Sequence, residues 1–234
     1  DACLKHNVQR FVLISTDKAV SPVSVYGASK MLCEKLLLEA AKHVTDNQKF
    51  MFVRFGNVLG SRGSILPLFM EQIKNGGPIT VTTPQMERYF MTIPEACSLV
   101  LQAGGVGSNG ESYLLDMGEC IKIKELAEQI IKFSGLEPYK DIDIKFIGKR
   151  KGERETEPLW LEEEEPKKTE FSKILKLKNL DFESSKIQEL LSKLKPICFL
   201  STENEKTQEL YRNNQYLINL LCDAIPSLQE FYKE

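Results

Sequence analysis

The chain has 234 residues, 42% of them hydrophobic and 27% charged, with 31 basic side chains against 33 acidic ones. That is enough chain and enough apolar surface for one large domain or two small ones. A formal net charge of −2 gives no positive field for nucleic acid, and no apolar run is long enough to span a bilayer, so neither is an expected partner.

The opening residues, DACLKHNV, read as the end of a helix with neither an initiator Met nor a signal-like segment, so the sequence is expected to begin in mid-domain. Residues 11–14, FVLI, and 51–55, MFVRF, are short runs of strand formers, and a helical pattern fills 24–44 between them. Within that pattern Ala28, Leu32, Leu36 and Ala40 recur every four residues, widened by Met31 and Leu38, which predicts one face lying on a sheet. A helix between two strands is the crossover that parallel pairing requires, so the class is α/β.

Further on, 64–77 reads as a helix stopped by glycines, 78–82 as a strand, and 92–104 as a helix with Pro94 in its first turn. A strand at 111–117, an amphipathic helix at 122–135 and a strand at 143–148 continue the alternation, which holds to about Leu177. The expected architecture for 1–177 is the second half of a doubly wound, Rossmann-like parallel sheet with a smaller substrate-binding region. Residues 178–234 change to amphipathic helices, about 184–195 and 205–225, and are read as a helical C-terminal extension. The acidic run Glu162, Glu163, Glu164, Glu165 is expected to be a solvated loop.

Six scattered cysteines with no C-x-x-C pair, and only two histidines, predict reduced, mostly buried thiols in a cytoplasmic protein and no metal site. The letters GVGSNG at 105–110 match the G-x-G-x-x-G dinucleotide fingerprint, yet they follow a helix and open a strand. A fingerprint has the reverse order, because the helix it opens must face the pyrophosphate. The expected reading is a flexible surface loop, with the cofactor-binding half expected either to have been removed or to lie outside the ordered part of the chain.

Residues 15–30, STDKAVSPVSVYGASK, set hydroxyls, a carboxylate, two ammonium groups and a phenol directly after the first strand. Ligands of open α/β sheets bind at such strand ends. Tyr26 and Lys30 are four apart on the following helix and share a face. An ammonium beside a phenol favours the phenolate, which makes Tyr26 a candidate base for alcohol oxidation. Ser24 is the expected N-cap of that helix.

This stretch resembles the extended short-chain dehydrogenase/reductases through Y-x-x-x-K. The longer series STDKAVSP…YGASK, VRFGNVLGSRGSILPLF, RYFMTIPEA and GKRKGE is similar to nucleotide-sugar 4,6-dehydratases of bacterial surface-glycan biosynthesis, especially those acting on UDP-N-acetylglucosamine, over about residues 10–177. The resemblance implies NAD or NADP as cofactor, a nucleotide-sugar substrate and a homo-oligomer. It implies that Tyr26, assisted by Lys30, removes the C4 hydroxyl proton, that Thr16 bonds the same oxygen, that Asp17 protonates the departing C6 hydroxyl and that Lys18 handles the C5 proton. Tyr26 and Lys30 would also meet the cofactor ribose. Arg88 and Arg150 would bind the diphosphate, Asn57 the nucleotide sugar and Glu153 the nucleotide ribose, with Arg62 and Arg154 as weaker candidates. The rival readings are a nucleotide-sugar C4 epimerase, which has no use for an Asp17–Lys18 acid/base pair, and a non-catalytic nucleotide-sensing module on the same fold.

Overall fold

The computed structural model describes residues 2–199 and 209–232. After a short helix, Ala2–Lys5 (α1), comes the strand Arg10–Ile14 (β1), the helix Val25–Ala41 (α2) and the strand Lys49–Arg54 (β2), with β1 and β2 parallel and Phe11 opposite Phe50. The strand Ser112–Leu115 (β7) adds to the other side of β2, again parallel. Alternate residues of β2 go to opposite faces, as the two-residue period of a strand requires. Phe50 and Phe52 pack against Leu37 and Ala41 of α2, while Met51 and Val53 pack against Leu99 and Ala103 of the helix Ile93–Val106 (α4). With both faces covered the strand reads as a continuous apolar run, Phe50 to Val53, between Lys49 at its start and Arg54 at its end.

The outer strands depart from the all-parallel expectation. Ile174–Leu177 (β11) pairs antiparallel with β7, and Lys167–Lys168 (β10) pairs antiparallel with β11, giving the order β1-β2-β7-β11-β10. The connection between β10 and β11, residues 169–173, is too short for a crossover, so that pair can only double back.

A second, smaller core gathers Phe69 of the helix Ile65–Lys74 (α3), Ile79 and Val81 of the strand Ile79–Val81 (β4), and Ala127, Ile130 and Ile131 of the helix Ile123–Phe133 (α5). The strand Ile144–Phe146 (β9) pairs parallel with β4. Two further short pairs join this region to the sheet end: Asn57–Leu59 (β3) runs parallel to Phe90–Thr92 (β6), and Glu87–Arg88 (β5) antiparallel to Ile121–Lys122 (β8).

The C-terminal helices Ser184–Cys198 (α6), Asn214–Ala224 (α7) and Pro226–Tyr232 (α8) pack on α2. Ala28 and Leu32, read from the sequence as facing the sheet, instead join Leu190, Leu221, Ile225 and Leu228 in this third core. Periodicity announces a buried face without naming its partner, and α2 is apolar on two sides because it is held between two layers. The helix expected over 205–225 is interrupted: Arg212 has φ +57°, and the Asn213 side chain caps α7 by accepting from the Tyr216 amide at 3.0 Å. Its first residues, 205–208, lie outside the described residues.

Three further expectations change. The GVGSNG segment does join a helix to a strand, but Gly105 and Val106 are the last turn of α4, and Asn109 ties the rest down, accepting from the Phe50 amide at 3.0 Å and donating to the Ala41 carbonyl at 2.7 Å. It is a tethered connection rather than a loose loop. Of the six free cysteines only Cys222 is buried, while Cys33, Cys97 and Cys198 are exposed. Glu164, placed with its neighbours in a solvated loop, is buried beneath Arg54. No described helix is long and apolar enough to cross a membrane.

Candidate active site

β1 and β2 end side by side, and the chain leaves both ends still hydrogen-bonded. The Ser15 amide donates to the Val53 carbonyl at 2.8 Å and the Asp17 amide to the Phe55 carbonyl at 3.1 Å. Residues Asp17–Ala19 then form one 3-10 turn, with Thr16 as its N-cap. This places Asp17 at the carboxyl ends of the parallel strands, where the fold leaves its crevice.

The Asp17 carboxylate is fully buried. Its Oδ1 accepts from the Thr16 hydroxyl at 2.7 Å and from the Lys18 ammonium at 2.9 Å, and the same ammonium reaches Asn57 Oδ1 at 3.3 Å. Oδ2 has no hydrogen-bond partner, an expensive state for a buried carboxylate oxygen. Thr16, Asp17, Lys18 and Asn57 therefore form one connected group, drawn from two strand ends that are about forty residues apart in sequence.

The helix carrying Tyr26 and Lys30 is brought against this group by Gly27. A methyl group there would lie 2.2 Å from the Lys18 carbonyl oxygen, so only glycine permits the approach. Ser24 caps the helix, accepting from the Gly27 amide at 3.1 Å, as its position in the sequence suggests. Tyr26 is 54% exposed, and Lys30 anchors its ammonium to the Ile14 carbonyl at 3.3 Å, at the very end of β1. The phenol and the ammonium thus lie one helical turn apart on the open side of the strand ends.

Lys18 also lines a cavity of about 210 Å³ with Ser24, Arg88, Glu153, Arg154 and Glu157. Arg88 donates to the carbonyls of Glu87, Arg154 and Glu155 at 2.6 to 2.7 Å, which fixes the loop opposite while its charge remains beside the cavity. Glu153 accepts from the Arg150 amide at 3.0 Å, closing a tight turn. Arg150 and Arg62 are exposed and are not among the residues lining the cavity.

Two groups in this region were not anticipated. Glu157 is buried, 3.7 Å from the Arg88 guanidinium; burial pushes its carboxyl above the usual range and Asp17 adds to this, while Lys18, Arg88 and Arg154 pull the other way. Its signal in the sequence, the last carboxylate of a charged segment, resembles solvated loop. The second is Arg54, which bonds Glu34 at 2.8 and 3.1 Å and Glu164 at 2.8 and 3.1 Å, while the Ser15 hydroxyl donates to Glu34 at 2.5 Å. The two carboxylates raise the guanidinium's affinity for its proton despite burial. An arginine closing an otherwise apolar strand was the available sign. Among the described residues no His, Cys, Asp and Glu group is placed to hold a metal.

A sequence profile described as polysaccharide biosynthesis protein matches residues 1–179. The capsular polysaccharide biosynthesis protein CapD of Staphylococcus aureus is 53% identical over 152 residues, covering 65% of this chain and 25% of that protein. A UDP-glucose 4-epimerase of Rickettsia canadensis is 40% identical over 159 residues, 68% of this chain and 45% of its own length. The X-ray structure of Pen from Bacillus thuringiensis superposes with a TM-score of 0.68 at 34% identity, over 75% of this chain and 54% of that one. The chain therefore spans a quarter of CapD and about half of the other two. With the strand-end acid, the Y-x-x-x-K helix and the profile match in agreement, the chain belongs to the polysaccharide biosynthesis protein family and carries the short-chain dehydrogenase/reductase fold.

Proposed function

We propose that the chain is the catalytic and sugar-binding part of an NAD- or NADP-dependent nucleotide-sugar 4,6-dehydratase acting on UDP-N-acetylglucosamine. The observation that carries this reading is the bonded pair at the end of β1: a buried carboxylate with one unpartnered oxygen, held by the adjacent ammonium. A C4 epimerase needs the phenol and its lysine but has no proton to move at C5 or C6, so the Asp17–Lys18 pair favours dehydration.

An exposed phenol and an ammonium already anchored on one side suit the ribose and nicotinamide of a dinucleotide, and Tyr26 and Lys30 would hold it there. When bound, that group supplies oxidation at C4 and returns the two electrons at C6. In this reading Tyr26 removes the C4 hydroxyl proton, with Lys30 favouring the phenolate and Thr16 bonding the same oxygen. Once C4 is a ketone the C5 hydrogen is acidic; with the proton of their mutual hydrogen bond carried by Asp17, the neutral Lys18 amine takes the C5 proton and returns one to C5 as C6 is reduced. Asp17 gives a proton to the C6 hydroxyl, which leaves as water. Asn57, Arg88, Arg150 and Glu153 are assigned to the nucleotide and its diphosphate, for which paired guanidinium groups are well shaped.

The test is mass spectrometry of the full-length protein's product from UDP-N-acetylglucosamine in deuterium oxide. The expected product is lighter than substrate by one water, apart from solvent deuterium gained at C5. A product of substrate mass without that deuterium would replace the dehydratase reading with the epimerase one.

A further inference from the structure

The turn between Lys18 and Tyr26 is held from outside by two parts of the chain, the 151–154 loop and α8. Three successive carbonyls accept side-chain hydrogen bonds and a fourth is packed against the loop. Arg154 donates to Val20 at 3.2 Å and to Ser21 at 2.7 Å. Ser227, on α8, donates to Pro22 at 2.7 Å. The Val23 carbonyl lies against Gly152, where a methyl group would come within 2.6 Å of it and 3.4 Å of the Tyr232 hydroxyl. Gly152 also has φ +79°, so glycine is required there by conformation as well as by space. The ammonium of Lys151 lies 5.5 Å from the centre of the Tyr232 ring, within cation–π range.

The turn needs such support. Ser21 has φ +41°, a left-handed conformation that a non-glycine residue holds only when its surroundings impose it. The turn leads into Ser24, which caps α2 and lines the cavity, and on to Tyr26. α8 itself is fixed on α2 through Leu228, which is 1% exposed.

We propose that Ser227 and Tyr232, on the C-terminal helix, are positioning residues of the sugar-nucleotide site: they set the 20–24 turn and the 151–154 loop that form two of its walls. The proposal rests on the cavity's reading as the sugar-nucleotide site. It gives the helical extension a task in the site rather than in bulk stability alone.

The experiment compares Tyr232→Ala and Tyr232→Phe in the full-length protein. It measures UDP-N-acetylglucosamine affinity by calorimetry, amide hydrogen exchange and melting temperature. The alanine variant is expected to weaken binding by roughly two- to thirtyfold, the range for residues acting on a site through others, and to speed exchange within 150–154 but not in α5. The phenylalanine variant keeps the ring and should behave as wild type. Unchanged affinity and exchange in the alanine variant would overturn the proposal, as would faster exchange throughout the chain, which marks a merely structural residue. If the wild-type protein does not bind the sugar nucleotide, the functional reading fails, and the exchange comparison still decides whether Tyr232 holds the loop.

Discussion

Arg54 and Asp17 each sit at a strand end within a group of buried charges, and the two groups are built to opposite rules. Around Arg54, two carboxylates take the guanidinium from both sides, a serine hydroxyl adds a bond to Glu34, and the Leu161 amide adds one to Glu164 at 2.7 Å. Around Asp17, one carboxylate oxygen has no partner, the bonded ammonium is partly exposed, and a cavity opens beside it. A buried polar network that is fully satisfied rigidifies a fold; one left incomplete is costly and persists where something else is meant to complete it. The closed group ties β1, α2, β2 and the 162–164 turn together, and the open one faces the crevice that this frame creates.

The largest test of that contrast is Asp17→Asn in the full-length protein. It removes the acid while keeping the shape, and turnover is expected to fall by about two to four orders of magnitude, the usual worth of a general acid or base. Thermal unfolding should change little, because Lys18 keeps Asn57 as a partner. A kinetic assay showing turnover near wild type would remove Asp17 from the chemistry and leave the open group without a purpose.

Arg54→Met should act the other way, leaving Glu34 and Glu164 buried and unpaired. The expected loss is about 3–5 kcal/mol of stability by denaturant titration. Replacing all three charges with apolar residues of similar volume should recover most of that loss, since the pair's benefit is offset by the cost of burying it. If the single variant proved as stable as wild type, the Arg54 group would not be the frame described above.

How far the sequence reveals these two groups follows from the distances along the chain. Thr16, Asp17, Lys18, Tyr26 and Lys30 lie within one strand-to-helix turn, so their chemistry is legible from spacing. The β1, α2, β2 unit is legible for the same reason: an apolar run of strand formers, then apolar residues at period four, then a second apolar run, in one stretch. Arg54 and Glu164 are separated by 110 positions, and nothing in a run of four glutamates marks the one that turns inward. The strands β5, β8 and β10 have two residues each, too few to show a period, and form because neighbouring elements present free backbone groups. The apolar stripe of α2 was visible, but its second partner, the C-terminal helices, is set by tertiary packing.

Glu157 tests the open group most finely, because it gives a sign rather than a size. Its carboxyl binds a proton more tightly in the folded chain than the ordinary value of 4.5, chiefly because of burial. A group raised in this way stabilises the fold below its unfolded value, and that contribution is lost as pH rises through the folded one. Lys18, Arg88 and Arg154 oppose the shift and Asp17 adds to it, so the net direction reports a carboxylate that its cationic neighbours do not fully compensate. Glu157→Gln cannot titrate. Its melting temperature relative to wild type should therefore climb as pH rises above about 4.5 and then level off once the folded wild-type carboxyl has ionised. A difference that stays flat across that range would mean that Glu157 is as well paired as Glu34, and the boundary between the closed and open groups would have to be redrawn around Arg88.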